Sequence, residues 1–184
     1  MLDTLYVNAH SKGRQFWWGG NDYVLKTGDK ALDKYLKKDA FAVMQADTIY
    51  VNCRNLRFEG TRFGNGYTRA RHIGNRSLLF VNRMIGVEAM RSQQTAAFMF
   101  GGIGAAISAS RYAKQQVCYV ISAGANSDNH VPIRIIDDTL MEQMLEGMDS
   151  MKTEYYSEGD NKKRHQATHV VPILERAGLI RDAE

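Results

Sequence analysis

The chain has 184 residues, 44% hydrophobic and 24% charged, with a net charge of +4. This is the composition of an ordinary globular protein, long enough to bury about 70% of its unfolded surface without disulfide or metal staples. Two prolines and no low-complexity tract exclude long disordered linkers.

The charge is uneven. Residues 1–93 carry 15 Lys and Arg against 8 Asp and Glu, and the remainder carries 9 against 12. Between Arg54 and Arg91 eight arginines face only Glu59 and Glu88. A basic half suits either an anionic partner or a solvated, arginine-bearing sheet face.

In chain order, Leu5-Tyr6-Val7 reads as a short strand that follows Met1 almost directly, with no charged or apolar leader. The chain is therefore expected to be either cytoplasmic or the mature form of an exported protein with an added Met. Phe16-Trp17-Trp18 reads as a second strand, closed by a Gly19–Asp22 turn, and Tyr23–Lys26 as a third. Asp29 is placed to cap a short helix through Leu36, with Ala31, Leu32 and Tyr35 as its apolar positions.

The opening segment then recurs. Asp3-Thr4-Leu5-Tyr6-Val7-Asn8 returns 44 positions on as Asp47-Thr48-Ile49-Tyr50-Val51-Asn52, and Gly20-Asn21-x-Tyr23 returns as Gly64-Asn65-x-Tyr67, with eight identities in 21 aligned positions. Two copies of one β unit are expected, near residues 3–36 and 47–82. In the second copy Thr48–Cys53, Leu56–Glu59, Tyr67–Ile73 and Ser77–Asn82 read as a meander. Its turns fall at Gly60, Gly64-Asn65-Gly66 and Gly74-Asn75, where glycine and asparagine supply positive φ.

Residues 92–110 are uncharged, and Ala97, Gly101, Ala105, Ala109 and Ala113 recur every fourth position. This is a ladder of small side chains on one helix face, suited to close packing on a sheet. Its apolar core is short for a bilayer, so a transmembrane helix is not expected. Val117–Ser122 and Val131–Ile136 read as strands. A helix from Asp138-Thr139 to about Met151 places Leu140, Met141, Met144, Leu145 and Met148 on one face. Glu154–Arg164 reads as a polar loop, and His165–Ala177 as a helix interrupted near Pro172 and ended by Gly178.

Apparent catalytic motifs are incomplete. Gly102-Ile103-Gly104 lacks the first glycine of a short-chain dehydrogenase phosphate loop. Ser127-Asp128-Asn129 and Lys26-Thr27-Gly28 stand in reversed order for a penicillin-binding site and lack its nucleophile motif. His165 and His169 at i, i+4 spacing make half a metal site with no third ligand. Cys53 and Cys118 fit either one disulfide or two buried thiols. No catalytic residue, metal ligand or cofactor is expected. The candidate binding surface is the mixture of Trp17, Trp18, Arg57, Arg62, Arg69 and Arg71, because aromatic faces stack on ligands while arginines hold anions. The competing account is a sheet with aromatics inward and arginines outward.

The run Asp47–Phe58, the segment Arg62–Tyr67, the glycine-rich apolar stretch and the Ile136-Asp137-Asp138-Thr139-Leu140 helix start resemble uncharacterised exported or lipoprotein-like proteins of Bacteroidetes, a domain of unknown function. The resemblance implies an envelope or secreted setting and transfers no catalytic residue.

These features describe an α+β protein: an antiparallel β-rich N-terminal half carrying the repeat (residues 1–90), and an α/β remainder (91–184) packed with it as one unit. The expected function is non-enzymatic binding or scaffolding in the periplasm, at the outer membrane or outside the cell, with a protein or glycan partner. The alternatives are a nucleic-acid-binding module on the basic aromatic half, and an enzyme whose site is assembled around His10, His72 or His130.

Overall fold

The computed structural model describes residues 6–9, 20–21, 23–86, 116–122 and 131–182. Trp17, Trp18, His10, His130, the small-residue ladder of 92–110 and the loop of 123–129 lie outside the described residues. The elements run β1 (Tyr6–Ala9), β2 (Tyr23–Lys26), α1 (Lys30–Lys38), β3 (Ala42–Gln45), β4 (Thr48–Asn52), a 3-10 turn (Cys53–Asn55), β5 (Arg57–Phe58) and β6 (Thr61–Arg62). They continue as β7 (Tyr67–Ile73), β8 (Ser77–Arg83), β9 (Gln116–Ser122), β10 (Ile133–Ile135), α2 (Asp138–Met144), α3 (Asp149–Tyr156), α4 (Asn161–Arg164), α5 (Ala167–Arg176) and β11 (Ile180–Arg181). The fold is mixed α+β, with an antiparallel, strand-rich first half and the helices gathered towards the C-terminus.

Among the described residues nine strands form one sheet, ordered β1-β2-β7-β8-β9-β10, with β4 and β11 also on β7 and β3 outside β4. Every pairing is antiparallel. Strand β7 is the hub. Tyr67 pairs with Tyr23 and Asn52, Ala70 with Ile49 and Phe80, and Ile73 with Ser77 and Ile180. One edge of β7 is therefore taken by β4 and then β11, and the other by β2 and then β8.

The two faces of the sheet are covered differently. On one face Leu79, Val81, Cys118, Val120 and Ile73 pack under α2, α3 and α5 through Met141, Leu145, Tyr155, Val170 and Leu174. Farther along the same face, α1 sets Leu36 over Tyr23, Leu25, Tyr50 and Tyr67. The opposite face buries Val51, Phe80, Val117 and Tyr119 beneath Leu56 and Phe63, which flank the separate β5–β6 hairpin.

Several expectations need correction. Leu56–Glu59 does not continue a meander; its core forms β5, which pairs only with β6. Strand β3 went unrecognised because its hairpin turns at Ala46-Asp47, where Ala46 takes φ of 46° without the usual Gly or Asn signal. In α1 Asp29 caps as expected, accepting from the N–H groups of Ala31 and Leu32 at 2.8 Å, but Leu36 is the buried residue while Leu32 and Tyr35 are 40% and 55% exposed. The single helix expected over 138–151 is split by Gly147 at φ 77°; α3 then extends through Tyr156 into the segment read as a loop, and the end of that segment forms α4. Pro172 does not break α5. Its ring removes one N–H bond, and burial of Val170, Val171, Ile173 and Leu174 holds the helix through it.

The C-terminal helices are joined at Asp138. Its Oδ1 accepts from Tyr155 OH at 2.8 Å and Arg164 Nε at 3.0 Å, and its Oδ2 accepts from Arg164 Nη2 at 2.6 Å. His165 Nε2 lies 2.9 Å from the same Oδ1. Arg164 is buried and stacks over the Tyr156 ring, 5.1 Å from its centroid. The Arg164 guanidinium, opposed by partial burial and helped by the His165 and Tyr155 bonds, holds the Asp138 carboxyl well below the usual range.

That depression fixes a pH dependence. A carboxylate with a lowered folded-state pKa stabilises fully above its unfolded value near pH 4, and the contribution fades as pH falls through the folded value. Asp138→Asn should cost about 2 kcal/mol at neutral pH, below the range for fully buried pairs because the Asp138 side chain is 35% exposed. Urea unfolding across pH checks this: the gap between variant and native chain should narrow below about pH 4, and a gap constant with pH would contradict it.

Candidate functional site

Side chains along a strand alternate between faces, so Tyr67, Arg69, Arg71 and Ile73 share one face of β7. The ends of this row are buried, Tyr67 beneath α1 and Ile73 beneath the C-terminal helices. The two residues between them are arginines. They stand in the gap between the two helical covers, where an open cleft of about 960 Å³ is lined by Arg69, Arg71, Leu79, Val81, Val171 and Ile180, with Asp47, Glu175 and Asp182 among its acidic groups.

The end of α1, over the first residues of β7, is pinned by Asn52 and Tyr67. Asn52, 1% exposed, donates from Nδ2 to the carbonyls of Leu36 and Ala40 at 3.0 Å and accepts from the Arg54 N–H at 3.1 Å. Tyr67 OH donates to the Leu36 carbonyl at 2.5 Å. Together they satisfy the carbonyls that a helix end leaves without intrahelical partners. Burial pushes the Tyr67 hydroxyl up to about 12, partly offset by its hydrogen bond with Asn52.

The Gly-Asn turns also meet. A Cβ on Gly66 would stand 2.5 Å from the Asn21 carbonyl oxygen, and one on Gly64 would stand 2.6 Å from Asn21 Nδ2. Asn21 donates to the Phe63 carbonyl and accepts from Asn82 Nδ2 at 2.7 Å. Glycine at 64 and 66 permits this approach as well as the positive φ. It seats β2 beside the start of β7.

The two arginines are held differently. Arg71 donates from Nη1 to Glu175 Oε1 at 2.5 Å. Its Nε lies 2.8 Å from Asp182 Oδ1, yet this N–H is buried and makes no hydrogen bond. The contact has the distance of an ion pair without the alignment of a hydrogen bond. Arg69 is exposed and lies over the Tyr23 ring, 5.2 Å from its centroid, a cation–π placement that leaves guanidinium donors for solvent or ligand.

The candidate surface read from the sequence is thus divided. Arg69 and Arg71 share the cleft. Arg57 and Arg62 face each other across the β5–β6 hairpin, both exposed. Their hairpin packs on the other face of the sheet, with the Phe58 ring 5.3 Å from that of Tyr119. There the aromatics do point inward: Phe63, Phe80 and Tyr119 stack edge-on or in parallel within 5.4 Å.

Other candidates resolve plainly. His165 ends α4 and His169 lies within α5, so the pair does not sit on one continuous helix; their Nε2 atoms engage Asp138 and the Tyr155 carbonyl. No group of three or more metal-ligating side chains occurs among the described residues. Cys53 and Cys118 form no disulfide with each other; both are buried, in clusters on opposite sheet faces, with burial pushing the Cys118 thiol up. His72 is exposed beside Arg181. No helix among the described residues is long and apolar enough to cross a membrane. Sequence reading missed Glu175 and Asp182 as parts of the site, and no local signal marks them, since Glu175 lies 104 positions from Arg71.

Fold and site together define an α+β protein that carries an arginine-bearing cleft on one face of an antiparallel sheet. The chain belongs to the family of unknown function DUF6563, which it matches over residues 1–181. No curated protein and no solved structure matches it. The family assignment carries no exported or lipoprotein character.

Asn52→Ala should remove one of two donors from each of the Leu36 and Ala40 carbonyls, which keep Tyr67 OH and Asn55 Nδ2, and cost about 1–2 kcal/mol. Hydrogen exchange should accelerate in the last turn of α1 more than in α5; equal acceleration in both would show that Asn52 does not act through α1.

Proposed function

We propose that this protein is a non-enzymatic binding or scaffold protein of the cell envelope or exterior, and that its ligand contact is the Arg69–Arg71 cleft, which takes an anionic group. The observation that carries this reading is the placement of two arginines side by side on a strand face whose flanking residues, Tyr67 and Ile73, are both buried. A sheet position between two helical covers would ordinarily be filled by apolar side chains. Guanidinium groups keep their charge at all ordinary pH values and offer planar donors to carboxylate or phosphate. They hold anions without exchanging protons, which suits binding rather than turnover. The envelope setting rests on the resemblance of Asp47–Phe58 and Arg62–Tyr67 to exported proteins.

The repeat belongs to the same reading. We take β1–β2 and β4–β7 as two copies of one unit: both pairs are antiparallel, and Tyr23 and Tyr67, 44 positions apart, lie directly opposite each other. The copies differ in register by one residue, Tyr6 facing Lys26 where Tyr50 faces Arg69. In this view duplication supplies two abutting hairpins, and the later one supplies the arginines. Nucleic acid is the less favoured partner, because Arg57 and Arg62 lie across the sheet from Arg69 and Arg71.

Fluorescence anisotropy at low salt with labelled hexaglutamate tests the site. Arg69→Ala and Arg71→Ala should each weaken binding about tenfold, within the range for a charge-assisted hydrogen bond. Arg57→Ala and Arg62→Ala remove the same charge elsewhere and should change it little. Equal losses from both pairs, or no binding by the native chain, would contradict the proposal. Tighter binding of labelled dodecathymidylate, lost in the Arg57 and Arg62 variants, would favour nucleic acid instead.

A further inference from the structure

Arg71 offers two hydrogen-bonding edges. Nη1 is taken by Glu175 at 2.5 Å. The side-on edge, Nε with Nη2, is the one that carboxylates grip in bidentate fashion. Here Asp182 Oδ1 sits 2.8 Å from Nε without forming a hydrogen bond. Nε is nevertheless shut off from solvent. A buried donor without an aligned acceptor is unfavourable, and the native contact offsets this by charge attraction without supplying the hydrogen bond. Asp182 itself is weakly held: its side chain is 72% exposed, and it follows β11, a strand of two residues. Ion pairs with so exposed a partner contribute little to stability.

Resting on the cleft as the ligand site, we propose that Asp182 is a built-in stand-in for the ligand's own carboxylate. It covers the side-on edge of Arg71 in the free protein and is displaced when an acidic ligand binds. The incoming carboxylate accepts from Nε and Nη2 of Arg71, and Arg69 on the same strand face supplies a second charge. Leu79, Val81, Val171 and Ile180 line the cleft beside Arg71, so the ligand class is a carboxylate carried on a partly apolar body. An acidic peptide segment and a free dicarboxylic acid share that chemistry. The repulsive element is as informative as the attractive one: Glu175 and Asp182 disfavour anions that cannot replace a carboxylate in kind.

The test measures binding of labelled hexaglutamate, free glutarate and inorganic phosphate to the native chain and to Asp182→Asn, Asp47→Asn and Arg71→Ala. Asp182→Asn should tighten carboxylate binding about two- to fivefold, the range an exposed ion pair spans. Asp47→Asn removes an equal charge from the cleft without touching Arg71, and should tighten it by less. Arg71→Ala should lose at least about tenfold. Hexaglutamate binding tightly where glutarate does not would assign the source as a peptide, and the reverse would assign it as a small acid. Equal gains from the two aspartate variants would overturn the stand-in role of Asp182 while leaving the cleft as a site. Stronger binding of phosphate than of either carboxylate would overturn the ligand class. Unchanged binding in Arg71→Ala would overturn both the inference and the site on which it rests.

Discussion

Strand β7 carries backbone partners along both edges. Its first residues lie between β2 and β4, and its last between β8 and β11. A strand fixed on both sides cannot slip, because a one-residue shift would send every side chain to the opposite face. The row Tyr67, Arg69, Arg71, Ile73 is therefore held facing the helices, and the row Thr68, Ala70, His72 faces away. The covers follow from this. Tyr67 reaches up to bond the end of α1, Ile73 lies beneath the C-terminal helices, and the arginines occupy the interval that neither cover closes.

The C-terminal cover is held by polar chemistry as well as by its apolar core. Asp138 gathers Tyr155 of α3 and the adjacent Arg164 and His165 at the end of α4 onto one carboxylate. Such a network specifies a single helix arrangement, since any alternative leaves a buried guanidinium or hydroxyl without its partner. The position of α5, and with it of Glu175 at the cleft, depends on that arrangement. The site is thus built by two clamps acting at a distance: Asn52 with Tyr67 on one side, and Asp138 on the other.

Local chemistry made much of this legible. Tyr67–Ile73 and Tyr23–Lys26 announce themselves as strands by alternation and by the Gly-Asn turns that precede them, and Asp29 marks the start of α1 by its capping chemistry. Strand β3 is short and turns at Ala46, so it carries no turn signal. Pro172 reads as a helix break because its cost is local, whereas the burial that outweighs it is tertiary. Asn52 and Asn8 read as strand residues, yet Asn52 is a buried clamp on a helix end formed earlier in the chain. The arginines were visible as a charge excess, but their division between two faces was not. That division depends on β5 and β6 leaving the sheet to pack across its other side, and on Arg71 meeting acids from the opposite end of the sequence.

The central claim is that Arg69 and Arg71 hold positions on a packed strand face for the sake of a ligand rather than of the fold. Removing an ion pair in favour of well-packed apolar side chains is often neutral or stabilising, and β-branched residues suit a strand. Thermal unfolding of the double variant Arg69→Val with Arg71→Val, in the absence of any added anion, tests the claim most directly. Arginines kept for binding rather than for the fold should leave Tm unchanged or higher in this variant. A substantially lower Tm would show that the two arginines hold the sheet together and would contradict the claim that they are kept for binding.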